Sequence, residues 1–413
     1  MKKLISLTIV IFMTAAILFA GGIENNVNFN AWYLMNPSRN TEANRADAVF
    51  YNPAGTAFMQ DGLYLGIGNQ FILKNYKHTI TDAGILAPLA GRSFNSDNPV
   101  LLYPNAHLVF KRDNYALFAA FGVFGGGGSL EFNDGTYLSN AMLAMGGGLH
   151  DHSFDLFSVT LGQIFGASVK INDMISVAAA VRFIQSRQTL EATSTGASSG
   201  NLLRAEASGN GVSGILGVHF RPIDRLDLSA TYQTITRIQL EYTRVDGSLA
   251  FMADGFGIKK GNKTSANLPA VLGLGVGYRI LENLYASLSF NYYYNKQADL
   301  ISMLGTPYKD SWEIAAGVDY DFSDIFSFSL GTLFTRHGIS KTANMPEAPN
   351  LNSFSIAAGT SIRPIQDLTI DIAAFKPFFS RDKFETSVGP ANLGMDLERT
   401  MIVFGIGVTY KIF

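Results

Sequence analysis

The sequence predicts an all-β fold: a transmembrane antiparallel β-barrel of 14 strands with an N-terminal hatch in its lumen. Three observations carry this reading. Charged residues make up only 15% of the chain, against about 25% in soluble domains, while glycine (41 residues) and phenylalanine (31) are abundant. Beyond residue 20 no apolar run is long enough for a spanning helix. Segments that alternate apolar and polar residues recur to the C-terminus, joined by connections that switch strictly between short and long. That combination describes a barrel with short turns at one rim and long loops at the other.

Taken in order, residues 1–20 open with Lys2 and Lys3 and continue as an apolar run from Leu4 to Ala20. This is the layout of a secretory signal peptide, with an uncleaved anchor as the alternative. The chain has no cysteine, so neither a lipid-modified cysteine nor a disulfide is available after export. Loss of the two lysines moves the formal net charge from −2 to −4, which argues against nucleic acid as a partner. Residues 21–62 read as the hatch, centred on ADAVFYNPAGTAFM from Ala46 to Met59. Asn52 precedes a proline and is pushed towards an extended conformation, from which its side chain can cap a helix. Pro53 suits the first helical position, and Ala54 to Met59 are enough for one or two turns. Trp32, Phe50, Tyr51 and Phe58 are aromatic with no strand to belong to, and are candidates to face a ligand.

Residues 63–413 read as the barrel. In Leu226–Tyr242, for example, Leu226, Leu228, Ala230 and Tyr232 share one face, and Asp227, Ser229, Thr231 and Gln233 share the other. Strands run from near 63–73 to 400–413, with the third at 115–124 and a long connection at 125–157. Short turns such as Lys111–Asn114 and Pro222–Arg225 alternate with the long connections, and both termini fall on the short-turn side, which demands an even strand count. The final residue, Phe413, is usual in proteins delivered to the outer-membrane assembly machinery, although Lys411 stands where a second aromatic is common.

Asn36–Met59, with Ser38-Arg39-Asn40 followed by ADAVFYNPAG, resembles the N-terminal hatch of the FadL family of outer-membrane transporters. The Asn52-Pro53-Ala54 triplet matches that family's hatch motif. Asn267-Leu268-Pro269 and the GLGVGYR run that follows, Asp310–Tyr320, and MPEAPN before Phe354 are weaker similarities. The resemblance spans about Asn36 to Phe413. It implies a plugged 14-stranded barrel, a ligand pocket above the plug, and a sideways opening near a kink in the third strand. Its members carry long-chain fatty acids and other hydrophobic molecules, including aromatic hydrocarbons.

The third strand, YALFAAFGVFGGGGSL, carries Gly122 inside it, and glycine within a strand often marks a bulge. The lateral opening is therefore expected near Phe121, Gly122 and Phe124, with a plain strand end as the other reading. Leu138, Met142 and Met145 recur at helical spacing in the long connection, and predict either an exposed apolar surface groove or a helix packed on the rim. His150 and His152 flank Asp151 as solvated loop residues, and no metal is expected. Parity places Arg182 and Arg237 on the inward face, as possible carboxylate anchors. The alternative is an ion pair, for instance Arg237 with Glu241, or with Glu42 and Asp47 of the hatch.

The expected function is passive diffusion of long-chain fatty acids or similar lipophilic compounds across the bacterial outer membrane, through a plugged barrel with a lateral opening. A polar-solute porin and a surface receptor or adhesin without a transport role are the alternatives. No nucleophile, base and orienting group come together in the sequence, so neither an enzyme nor a cofactor is expected. The expected partners are a hydrophobic ligand, outer-membrane lipids and the assembly machinery, acting on a monomer.

Overall fold

Alternation becomes a wall because each strand has two environments. On Ser311–Asp321, Ser311, Glu313 and Ala315 are buried inward, while Ile314, Val318 and Tyr320 are exposed on the other face. The computed structural model describes residues 29–413 apart from 85, 147, 149–150, 196–199, 256, 300–305, 343 and 389–390. The signal-peptide reading of residues 1–20 and His150 lie outside the described residues.

The barrel strands are β1 Gly62–Ala83, β2 Val100–Arg112, β3 Tyr115–Phe132, β4 His152–Lys170, β5 Ile175–Ser194 and β6 Gly200–Ile223. Next come β7, in two arms (Leu226–Gln233 and Gln239–Asp246), and β8, in two arms (Lys263–Ser265 and Ala270–Leu281). Then follow β9 Leu284–Tyr294, β10 Ser311–Asp321, β11 Phe326–Arg336, β12 Ser353–Ile365, β13 Leu368–Phe379 and β14 Ala391–Lys411. Each pairs antiparallel with its neighbour, and β1 closes on β14 from Tyr64↔Lys411 to Ala83↔Leu393. The fold is thus a closed, antiparallel 14-strand barrel, as the sequence predicts. Two short strands outside that count, Ser93–Ser96 and Asp382–Val388, pair with β1 and β14 at the long-loop rim.

Several strands run further than the sequence suggested. β3 continues to Phe132 and β4 begins at His152, so much of the expected 125–157 connection is wall. Within that connection, helix α3, Tyr137–Gly146, lies on the rim (α1 and α2 belong to the hatch, below). On the outer surface, Tyr292, Trp312 and Phe334 form part of one aromatic girdle, with Trp312 and Phe334 ring centroids 5.5 Å apart. Tyr320, Phe322 and Phe328 belong to the other. On β10 the interval from Trp312 to Tyr320 is about 27 Å of strand, or about 21 Å of membrane thickness at a tilt of about 40°.

Residues 29–59 fill the lumen. Helix α1, Ala31–Met35, is capped by Asn30, whose Oδ1 accepts from the Tyr33 N–H at 2.9 Å. Helix α2, Ala48–Tyr51, leads into a 3-10 turn, Pro53–Phe58, with the proline at its first position. The hatch sits directly on wall backbone. An added Cβ at Gly317, Gly331, Gly359 or Gly405 would strike Asn36, Pro37, Met35 or Leu34. Glycines on four separate strands therefore make room for the plug.

Candidate functional site

Asp47 gathers the hatch's charges. It accepts from Arg39 Nη2 at 3.0 and 3.1 Å and from Asn30 Nδ2 at 3.0 Å, with Arg45 Nε 3.9 Å away. Burial alone would raise the Asp47 carboxyl; the Arg39 and Arg45 guanidiniums outweigh it and hold the group below its ordinary value. Arg45 also reaches the wall, donating to Asp371 at 2.6 Å. Trp32 is covered by Arg45 at 3.6 Å and Arg39 at 4.9 Å from its ring centroid. It lines a charged cleft of about 300 Å³ at the short-turn end, so it faces away from the apolar interior.

The Asn52-Pro53-Ala54 motif turns to the wall. Asn52 is fully buried; its Nδ2 donates to the Glu42 carbonyl at 2.9 Å and lies 2.8 Å from His219 Nδ1. The expected helix cap by the Asn52 side chain is not formed: Nδ2 is held by Glu42 and His219, and Oδ1, the atom that would accept from a helix N–H, has no partner among the described residues. His219 Nε2 stands 2.9 Å from Asp227, which also takes Arg221 at 2.7 Å and the Tyr285 hydroxyl at 3.1 Å. The Ala54 carbonyl accepts from Ser176 at 2.6 Å, and Thr56 meets Ser168 at 2.7 Å. Phe58 lies on His219, ring centroids 5.1 Å apart, beneath Arg221 at 4.8 Å. These residues seat the hatch against β4–β7. His219 and Asp227 were not singled out from the sequence, because nothing local ties a histidine on β6 to an asparagine 167 residues earlier.

Phe50 and Tyr51 take the opposite direction. Phe29 stacks on Phe50 at 4.9 Å and packs on Phe124 of β3 at 4.6 Å and Tyr51 at 5.9 Å. Tyr33 extends the cluster to Tyr51 and to Phe375 of β13. This aromatic floor backs onto an irregular part of the wall. The β2–β3 ladder runs only from Arg112↔Tyr115 to Ala106↔Phe121. Beyond it, β3 shifts register against β4 twice, between Val123 and Gly128. β3 meets β2 again at Gly128, where an added Cβ would lie 3.0 Å from Val100. Above that, Glu131 bonds Ser96 at 2.9 Å and Asn98 at 2.7 Å. The result is a gap in the ladder, closed above and below, with Leu101 and Leu102 exposed beside it (65% and 72%).

Gly122 lies at the inner edge of this gap, but its backbone is ordinary, and a Cβ there would make normal contacts with Phe29, Phe50 and Phe124 at 3.6–3.8 Å. The positive φ angles fall at Gly126 (84°) and Gly128 (73°), and a Cβ on Gly126 would collide with the Ser158 carbonyl. Gly126 therefore makes the bend. The tetraglycine run is the available signal, although the sequence pattern alone assigns it to the 125–157 connection.

Arg182 is fully buried, facing inward as expected. It donates to Ser213 at 3.0 Å, Gln233 at 2.7 Å and Thr236 at 2.9 Å, and its guanidinium stands 5.4 Å from the Phe124 ring centroid. No carboxylate pairs with it among the described residues. Arg237 corrects the sequence reading: it is exposed, with Ile238 and Leu240 buried on the other face. β7 is interrupted over 234–238, which shifts the parity. Asp227, Thr231 and Gln233 point inward below the break, and Thr236, Ile238 and Leu240 above it. The same interruption brings Thr236 to Arg182.

Helix α3 does not present an exposed groove. Leu138 and Met142 are buried against the rim with Phe132 and Phe154; the side chain of Met145 lies outside the described residues. Leu138 instead lines an apolar cavity of about 40 Å³ with Phe154, Leu156, Leu190, Tyr242 and Met345. His152 is buried on Ser139, Nε2 to Oγ 2.6 Å, rather than solvated.

A family model described as outer membrane protein transport protein (OMPP1/FadL/TodX) matches residues 37–412. No curated protein matches the chain. Among solved structures, a Pseudomonas aeruginosa FadL homologue is similar over 96% of this chain and 99% of its own, at 17% identity and a TM-score of 0.71. The Pseudomonas putida toluene transporter TodX is similar over 90% and 96%, at 16% identity and 0.64. The Ralstonia pickettii toluene transporter TbuX is similar over 94% and 98%, at 14% identity and 0.63. At these identities the likeness is one of fold.

Proposed function

The chain belongs to the outer membrane protein transport family (OMPP1/FadL/TodX), and from that premise we propose that it carries long-chain acids by passive diffusion, letting them leave sideways through the β2–β3 gap. The barrel resides in the outer membrane and its transport role is for hydrophobic molecules. The observation that carries the finer reading is Arg182. A buried guanidinium held only by neutral oxygens keeps its full charge for a ligand carboxylate, which it can grip with charge-assisted hydrogen bonds. The aromatic floor of Phe29, Phe50 and Tyr51 offers the alkyl chain an apolar surface beside it. Asn52, Pro53 and Ala54 act as seating for the plug rather than as ligand contacts.

Sideways release follows from solvation. Each CH₂ left in water costs about 0.8 kcal/mol, and the way down leads into charged clefts around Trp32, Arg39 and Arg363. The gap faces lipid. TodX and TbuX are named as toluene transporters, and a neutral hydrocarbon would have no use for Arg182. Uptake of a labelled long-chain fatty acid and of toluene into cells expressing wild type or Arg182→Gln separates the two. Loss of hydrogen bonds to a charge, about 1.5–3 kcal/mol, should weaken capture of the acid ten- to hundredfold and leave toluene unchanged. Equal acid uptake by both proteins at equal surface abundance would remove Arg182 from the pathway. Mass spectrometry of lipids that co-purify with wild type supplies the identity of the acid.

A further inference from the structure

We propose that the outer face of β5–β7, just above the apolar band, holds the phosphate-bearing headgroup of an outer-leaflet lipid between Arg187 and Arg237. The observations are independent of the lumen. On β5 and β6 the last apolar outward pair is Phe183↔Val212, 45% and 57% exposed. The next outward pairs are Gln185↔Asn210 and Arg187↔Ser208. On β7, Tyr232 is the last apolar outward residue of the lower arm, and Arg237 is exposed in the break above it. Its backbone carbonyl lies against Gly211, the partner of Ile184. The two arginines are thus two strands apart, about 10 Å across the sheet, with a stagger of about three residues.

The charge in this tier is unbalanced. Neither Arg187 nor Arg237 is in an ion pair among the described residues. One acid, Glu241, shares the Arg187–Ser208 tier and is held by Lys263 at 3.5 Å; the others lie higher and each already has a cation, Glu191 and Glu206 from Arg204 at 3.2 and 2.7 Å and Asp246 from Arg244. Two unpaired positive groups at the level where hydrocarbon gives way to headgroups meet phosphate there. A charge facing lipid is tolerated only near the interface, and anionic headgroups attract cations placed at that depth. The planar fork of a guanidinium matches two phosphate oxygens at once, and the Gln185 and Asn210 amides add neutral donors between the arginines. The site is on a different part of the wall from the β2–β3 gap, so a lipid bound there leaves the gap uncovered.

The test uses the full-length mature protein in neutral detergent, with native mass spectrometry counting bound dioleoylphosphatidic acid, dioleoylglycerol or inorganic phosphate. Phosphatidic acid should occupy one saturable site on wild type. Each arginine-to-glutamine change should weaken it about fivefold, and R187Q/R237Q about thirtyfold. R187K/R237K should recover most of the affinity, and added salt should weaken the wild-type site. A double variant within twofold of wild type overturns the proposal, as does dioleoylglycerol binding equally well. Inorganic phosphate binding as tightly as the lipid also overturns it, in favour of a free-anion site. Folding is checked by the mobility of unheated barrel on gels, and if the double variant does not fold, the two single variants carry the same comparison.

Discussion

Stapling the hatch to the wall tests whether the floor must move. A Cβ built on Gly217 lies 3.5 Å from Ala54 Cβ, and one on Gly407 lies 3.5 Å from Ala31 Cβ. Disulfides hold Cβ atoms about 3.5–4.5 Å apart, so Ala54→Cys/Gly217→Cys and Ala31→Cys/Gly407→Cys fit well. They pin the plug to β6 and β14, on well-separated parts of the wall, and the absence of native cysteine leaves no competing thiol. A bridge allows about 1 Å of travel, less than the roughly 2.8 Å needed to admit one water. The unbridged protein is already tightly held. At least ten hydrogen bonds tie hatch to wall. At about 1 kcal/mol each, undocking costs about 10 kcal/mol, or one molecule in about ten million. Fatty-acid uptake by the oxidised double variants should therefore stay within twofold of their reduced forms. A tenfold fall on oxidation that dithiothreitol restores would refute a stationary floor and redirect the exit through the plug.

Further expectations concern the bend, the outer loops and the orientation. Gly126→Ala puts a side chain at φ 84° against the Ser158 carbonyl, at a cost of about 1–2 kcal/mol; uptake should fall at equal surface abundance, whereas Gly122→Ala, which has room, should transport normally. Glu347, buried in the connection 337–352, has its carboxyl pushed up to about 7 by burial, against the opposing bond from Thr136. The folded loop therefore holds that proton more tightly than an opened one. This stabilisation is complete below pH about 4.5 and fades as pH rises to about 7, so the loop is about 3 kcal/mol less stable at pH 8 than at pH 4. Hydrogen-exchange protection across 337–352, after correction for the intrinsic base-catalysed rate, should fall over that range in wild type and stay level in Glu347→Gln. Trypsin on intact cells should cut at exposed Lys259 or Lys260 and spare Lys111 and Arg225; cleavage at the latter pair would invert the topology.

Period-two patterning and the alternation of connection lengths made the 14 strands legible, because a strand between lipid and lumen must alternate, and rims of different environment tolerate different lengths. Legibility failed where the backbone departs from regular pairing. Parity carried across 226–243 assigns Arg237 to the lumen, and only the interruption at 234–238 reverses it. The same parity was right for Arg182, on an unbroken strand. The glycine run after Phe124 was read as loop because glycine disfavours strands, while in the wall it provides the positive φ at Gly126. The helix at Tyr137 was read correctly, but which of its faces met the rim depended on Phe132 and Phe154. The partner of Asn52 was invisible for the reason that governs most hatch contacts: it lies far away in sequence.

The gap between β2 and β3 is bounded by regular pairing below Phe121 and by Gly128 against Val100 above. A slit fixed at both ends in a closed hoop of strands cannot widen without breaking ladder bonds that have no water to replace them. Its tolerance is therefore set by girth rather than by length. If cargo leaves by this gap, as proposed above, a linear acyl chain should thread it end-on whatever its number of carbons, whereas a branched or fused-ring molecule of the same hydrophobicity should be stopped. On that proposed route the side wall is the sieve, and cross-section is the property of a cargo that it would sort.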